Sequence, residues 1–293
     1  MMNVQITCVA PHRCVLGEGP VWDARTGTLF WVDIKDPAVH ALDPATANTR
    51  RWPMPQPIGT VGLREGSGLV GAFKNGFAFI DLATGATHPI ADPEADLPDN
   101  RFNDGKVDPR GRFWAGTMDE TERRPSGELY RIDPDLTVTR FPAGFIVTNG
   151  IEWSRDGGTL YFVDTAQRTI YAYAFDMAAG APGGRRVFAR VPESDGHPDG
   201  LTVDADDHVW SAHWGGGRVT RYRPDGSVER VVKLPVPRTT SCCFGGPELD
   251  TLFVTSASIG LDAAALRAAP LSGAVFAVSG LGVRGRPAGR FKG

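Results

Sequence analysis

The chain has 293 residues, 41% hydrophobic and 22% charged, with a formal charge of -3, which is enough apolar chain to bury a substantial core and too much for a disordered segment. Scattered Lys and Arg exclude a nucleic-acid footprint, and apolar stretches broken within about ten residues fall short of the ~20 that span a bilayer. Met1 to Pro11 carries no basic start, long apolar run or small-residue cleavage site, so a cytoplasmic chain with no membrane partner and no obligate protein partner is expected.

In chain order, Val4 to Val9 has strand character. Six segments of one grammar follow, each an apolar entry, a polar turn and a second β-rich run: LGEGPVWDARTGTLFWVDI, TVGLREGSGLVGAF, FNDGKVDPRGRFWAGT, TNGIEWSRDGGTLYFVD, PDGLTVDADDHVWSAHW and TTSCCFGGPELDTLFVTS. The apolar residues before each first turn are Trp22, Leu63, Val107, Trp153, Val203 and Phe244, spaced by 41, 44, 46, 50 and 41. A period of about 40–50 residues is that of a four-stranded propeller blade. Each repeat continues into a third run, such as GELYRIDPD or GRVTRYRPDG, and Val4 to Val9 can supply the outer strand of the last blade and close the ring. The expectation is all-β: one six-bladed β-propeller domain over 1–293 with a central metal site. The only helix expected is Asp262 to Ala269, capped by Asp262.

Quasi-symmetry brings equivalent repeat positions together at the axis. The residues four before each anchor are Glu18, Gly59, Asn103, Asn149, Asp199 and Thr240. Five of these six are polar where a core residue would be ordinary, and two carboxylates with two amides on one channel repel or stay unsatisfied without a partner. A divalent cation resolves this, since oxygen donors suit hard ions and Glu18 with Asp199 balances a 2+ charge. Three protein ligands leave positions open for water or substrate. Asn and Asp before strands also cap turns; Asn103 fits either role, and Asp104, turned to the other side, is expected to bond backbone.

Other chemistry is thin. The four cysteines, Cys8, Cys14, Cys242 and Cys243, form no C-x-x-C pair and are expected as reduced thiols, with Cys242 and Cys243 packing on opposite faces of a strand. The six histidines are dispersed; His213 ends a strand in the Asp199 blade, where a core-edge role outweighs a catalytic one. Trp214 fits a tight turn as well as a sugar-stacking platform.

The motifs LGEGPVW, RFNDGKVDPRGRFWAGTM, TNGIEWSRDG, PDGLTVDADDHVW and KLPVPRTTSCCFGG resemble the family of regucalcin (senescence marker protein) and the bacterial gluconolactonases, over essentially the whole chain. The resemblance implies a divalent-metal-dependent lactonase that opens a sugar lactone such as gluconolactone or a pentonolactone to the aldonic acid. It implies metal ligands at Glu18, Asn149 and Asp199, with Asp199 also the proton acceptor or donor, and substrate contacts from Arg101 and Asn103. An acidic contact falls shortly after GTM, where this chain reads GTMDETERR with Thr121 at the ungapped position; Glu120 is the expected substitute. The ion is left open among Ca²⁺, Mn²⁺, Mg²⁺, Zn²⁺ and Fe²⁺. A non-catalytic calcium-binding or interaction propeller is the alternative, and hydrolysis of an organophosphate or larger ester a third reading.

Overall fold

A computed structural model describes residues 4–293, apart from the side chain of Ala143. The β-branched and aromatic runs form strands and the Gly, Asp and Pro clusters form the turns between them, giving six four-stranded antiparallel meanders, a six-bladed β-propeller. The inner strands are Gly17–Asp23, Ile58–Arg64, Asn100–Val107, Thr148–Trp153, His197–Val203 and Thr239–Gly245. Strand Gln5–Ala10 pairs with Val275–Ser279 as the outer strand of blade 6, closing the ring as the sequence suggested and protecting what would be a free edge. The expected helix runs over Ala263–Ala268, and the Asp262 carboxylate accepts from the Ala265 amide at 2.8 Å.

Burial falls from the axis outward. Of strand Gly17–Asp23 every residue but one is buried, whereas in the outer strand of the same blade, Asn48–Pro53, Trp52 alone is. Cys242 and Cys243 point into different inter-blade cores, and all four cysteines are free thiols. The turn aspartate after the anchor does specific work in two blades. Asp108 accepts from Trp114 Nε1 at 3.0 Å and pairs with Arg112 at 2.5 Å; Asp204 accepts from Trp210 Nε1 at 2.8 Å and pairs with Arg221 at 2.7 Å. A fully buried indole so satisfies its N–H beside a paired carboxylate.

Every inner strand carries a register shift near its start: between Glu18 and Val21, Ile58 and Thr60, Phe102 and Gly105, Asn149 and Ile151, Pro198 and Leu201, and Thr239 and Cys242. Bulges re-aim side chains, and these six fall on the very repeat position that gave the polar series.

The opposite end of the channel is crossed by the last ten residues. The Gly285 amide donates to the Leu249 carbonyl at 2.7 Å, the Ala205 amide to the Arg284 carbonyl at 2.8 Å, Arg286 to the Trp153 carbonyl at 2.5 Å, and the Lys292 amide to the Gly111 carbonyl at 3.1 Å. Arg290 and Phe291 add a short parallel strand to blade 2, and Arg290 pairs with Asp23 of blade 1. This segment therefore ties all six blades together at the end where the inner strands finish.

Candidate active site and metal centre

At the end where the inner strands begin lies a cavity of about 250 Å³ lined by Glu18, Arg101, Asn103, Asn149 and Asp199 together with Leu16, Met118, Glu122, Val147, Thr165, Ala166, His197 and Trp214. Thus the axial series does converge. Two of its members explain themselves differently. A Cβ on Gly59 would sit 2.6 Å from the carbonyl oxygens of both Phe102 and Asn103, so this position is glycine because the neighbouring strand occupies the space. Gly59→Ala is expected to displace the segment that carries Arg101 and Asn103, seen as a large loss of turnover with the fold retained by circular dichroism. Thr240 donates to the Gly17 carbonyl at 2.5 Å and meets Thr255 Oγ1 at 2.9 Å, so its hydroxyl is used inside the wall.

Of the remaining four, Glu18, Asn149 and Asp199 are poised for a cation, and Asn103 is tied to Arg101. Asn149 donates from Nδ2 to Thr165 Oγ1 at 3.1 Å, and Thr165 Oγ1 in turn donates to the Pro198 carbonyl at 2.8 Å. A hydroxyl that spends its proton there can only accept from Asn149, which fixes the amide orientation and leaves Oδ1 free. Both Asn149 Oδ1 and Asp199 Oδ1 are buried with no hydrogen-bond partner among the described residues. Glu18 accepts from the Gly19 amide at 3.1 Å. Burial pushes the carboxyls of Glu18 and Asp199 well above the usual range, and their neighbouring charges push further, Asp104 on Glu18 and Glu18 on Asp199. Orphaned carbonyl and carboxylate oxygens around desolvated negative charge fit a hard divalent cation. Gly150, following Asn149, lets its strand approach Asp199: a Cβ there would lie 2.7 Å from the Asp199 carbonyl oxygen.

Arg101 and Asn103 form one unit. Arg101 Nη1 donates to Asn103 Oδ1 at 2.6 Å and to the Phe102 carbonyl at 3.1 Å, while Asn103 Nδ2 donates to the Thr148 carbonyl at 2.7 Å. Arg101 Nε lies 2.8 Å from Glu120 Oε2. The guanidinium is clamped on two edges, and no bond to Nη2 is found among the described residues. Glu120, expected to contact substrate, stands behind Arg101, where it also pairs with Lys35; burial works against its charge, but Arg101 and Lys35 outweigh it and hold its carboxyl below the usual range. Of the acidic residues that follow Met118, the one on the cavity wall is Glu122, at φ +55° in a turn built by Asp119, whose carboxylate accepts from the Arg123 and Arg124 amides and from Thr121 Oγ1. Asp104 accepts from the Gly105 amide at 2.7 Å and lines the opposite cavity, as expected.

The histidine at the cavity is His197, held through Nδ1 by the Thr165 carbonyl at 3.2 Å. A carbonyl only accepts, so Nδ1 carries the hydrogen, and in the neutral ring Nε2 is the acceptor. His213 is core: it is 1% exposed, bonded to the Asp195 carbonyl and Tyr222, and burial holds its pKa down to about 4. Trp214 does line the cavity, with Arg238 4.8 Å over its ring.

The sequence model described as the SMP-30/Gluconolactonase/LRE-like region matches residues 16–258, which include all of these groups up to Arg238. The chain belongs to the SMP-30/gluconolactonase/LRE-like family. Relatives in this family include regucalcin of Xenopus laevis, 39% identical over 97% of both chains. Among solved structures, the calcium-binding protein regucalcin of Agrobacterium tumefaciens is 34% identical with a TM-score of 0.93, covering 97% of this chain and 96% of that one. A luciferin-regenerating enzyme superposes with a TM-score of 0.93 at 29% identity, covering 99% of this chain and all of that one. No helix among the described residues is long and apolar enough to cross a membrane.

Proposed function

We propose that the protein is a divalent-metal-dependent hydrolase of a small sugar lactone. The observation that carries this is the pairing of two orphaned oxygens, Asn149 Oδ1 and Asp199 Oδ1, with the clamped Arg101 on one cavity wall. Family membership supports the reaction class. A volume of about 250 Å³ is below the roughly 300–1,000 Å³ of drug-sized ligand sites, which suits one sugar ring.

Glu18, Asn149 and Asp199 would hold the cation, and their oxygen donors leave Ca²⁺, Mn²⁺ and Mg²⁺ as the natural occupants. When bound, a cation there supplies Lewis acidity toward an ester carbonyl or water. Asp199 takes the proton of the attacking water; as the ring C–O bond breaks, that proton passes to the ring oxygen, leaving a hydroxy acid. Arg101 directs Nη2 at the sugar hydroxyls or the forming carboxylate, with Asn103 and Glu120 fixing its plane. Glu122 and His197 Nε2 accept from sugar hydroxyls, and the Trp214 ring offers an apolar face to the sugar.

Acid release should be measured over a panel of aldonolactones with Ca²⁺, Mn²⁺, Mg²⁺ and Zn²⁺ in turn. Turnover of at least one lactone, abolished by chelator and restored by metal, is expected. Full metal occupancy with no turnover across the panel would overturn catalysis and leave a metal-binding propeller.

A further inference from the structure

His12 and Cys14, on the connection that leads from the closing strand Gln5–Ala10 into the strand bearing Glu18, meet His40 of strand Ala38–Asp43. Their ligand atoms all lie within 4.8 Å of one another. We propose that they form a second metal site, for a borderline-soft divalent ion such as zinc, chemically distinct from the all-oxygen axial site.

The trio is built, not incidental. Cys14 is 0% and His40 4% exposed, and His40 Nε2 is buried with no hydrogen-bond partner among the described residues. Ordinary packing would satisfy that atom; a metal ion would satisfy it as a ligand. The loop is held before any ion arrives: the Cys14 amide donates to the Gly273 carbonyl at 3.0 Å, its carbonyl accepts from Ser258 Oγ at 2.8 Å, and Asp33 accepts from the Val15 and Leu16 amides at 2.7 and 3.0 Å. An outer layer is present too. Trp31 stacks on His40 at 5.1 Å and approaches Cys14 Sγ with its indole N–H at 3.4 Å, the kind of contact that orients a thiolate ligand. The charged groups nearby are Asp33, already bound to backbone amides, and Arg51, tied to Asp36 at 2.9 Å.

Geometry also allows closure. Bonds of about 2.0–2.3 Å to a tetrahedral zinc place ligand atoms about 3.3–3.7 Å apart, so the trio must contract by no more than about 1–1.5 Å. His12 is exposed, its ring 4.9 Å from that of His40, and can swing inward. Two imidazoles and one thiolate leave a fourth position to water on the exposed side, and thiolate with imidazole selects zinc-like ions over calcium or magnesium.

The test is Co²⁺ titration of the full chain, reduced and with the axial site saturated by Mg²⁺. One equivalent should produce a thiolate-to-cobalt charge-transfer band that Zn²⁺ abolishes; oxygen ligands at the axis cannot give it. The band should vanish in Cys14→Ser and His40→Gln. In His12→Ala, where only an exposed ring is lost, Co²⁺ affinity should fall at least tenfold while lactone hydrolysis is unchanged. No band in the wild-type protein, a band persisting in Cys14→Ser, or unaltered affinity in His12→Ala overturns the site. Because the readout is spectroscopic, it stands or falls separately from the lactonase reading.

Discussion

Asp199→Asn is expected to abolish lactone hydrolysis while making the metal-free protein more stable. The amide keeps the side chain's shape but can neither take a proton nor balance a cation's charge. Loss of a general base alone costs about 10²–10⁴-fold, and weaker metal retention adds to it. The stability gain follows from the same site. Glu18 and Asp199 are buried, and burial raises both carboxyls above their ordinary values of 4.5 and 3.8, with the charge of Asp104 pushing Glu18 further and that of Glu18 pushing Asp199. Above pH ~4 the unfolded chain releases these protons more readily than the folded one. Metal-free wild-type protein therefore loses stability as pH rises from that range through the raised folded values, and Asp199→Asn removes much of this loss. Saturating metal changes the sign of the trend, because cation binding competes with protons and strengthens with pH. Melting temperatures at pH 5 and pH 8, with chelator and with metal, read all of these directly. A chelated wild type that is flat between the two pH values, or an Asp199→Asn variant with full turnover, would contradict this assignment.

The ring and the polar series on its axis were legible because repetition carries geometric information. Once anchors recur at blade spacing, residues four before them face the axis, and Glu18, Asn103, Asn149 and Asp199 follow from counting, while the choice of Glu18, Asn149 and Asp199 as candidate metal ligands came from the family resemblance. Counting also leads to Arg101, which shares the Asn103 face two residues upstream on an extended strand, although resemblance rather than periodicity brought it forward. What lay outside the repeat was hidden. Glu120 and Glu122 are two apart in a turn whose path is set by Asp119 binding backbone amides, and no strand periodicity says which carboxylate reaches the cavity. His197 and Trp214 reach it from the edge of blade 5, where they are directly paired in register, a relation invisible until the strand partners are known. The meeting of His12 with His40 depends on a loop clamped by blade 6, and dispersed histidines in a sequence say nothing of it.

The closing segment at 284–293 has no repeat signature either, yet Phe291→Ala is expected to be among the most destabilising single substitutions in the chain. Phe291 is 0% exposed and packs into the core between blades 2 and 3 with Phe77, Val107, Phe113 and Ile132, its ring 6.2 Å from that of Phe79. Truncating a buried phenylalanine costs about 3–5 kcal/mol through lost transfer energy and the cavity left behind. Here the cavity has a further consequence, because Phe291 sits in the two-residue strand that holds Arg290 against Asp23 and the Arg64 carbonyl. Loosening it releases a segment that touches every blade. At about 2 °C per kcal/mol, the low end for large domains and the end a chain of 293 residues approaches, a fall of roughly 6–10 °C in Tm should appear in a thermal scan. The candidate active-site cavity lies at the other end of the channel, so KM for the lactone should be unchanged at temperatures where the variant is folded. Arg290→Ala, which loses the ion pair but keeps the buried ring, should fall much less. Equal losses in the two variants would mean that the segment is held by its charges, and the blade 2–3 core would not be what anchors it.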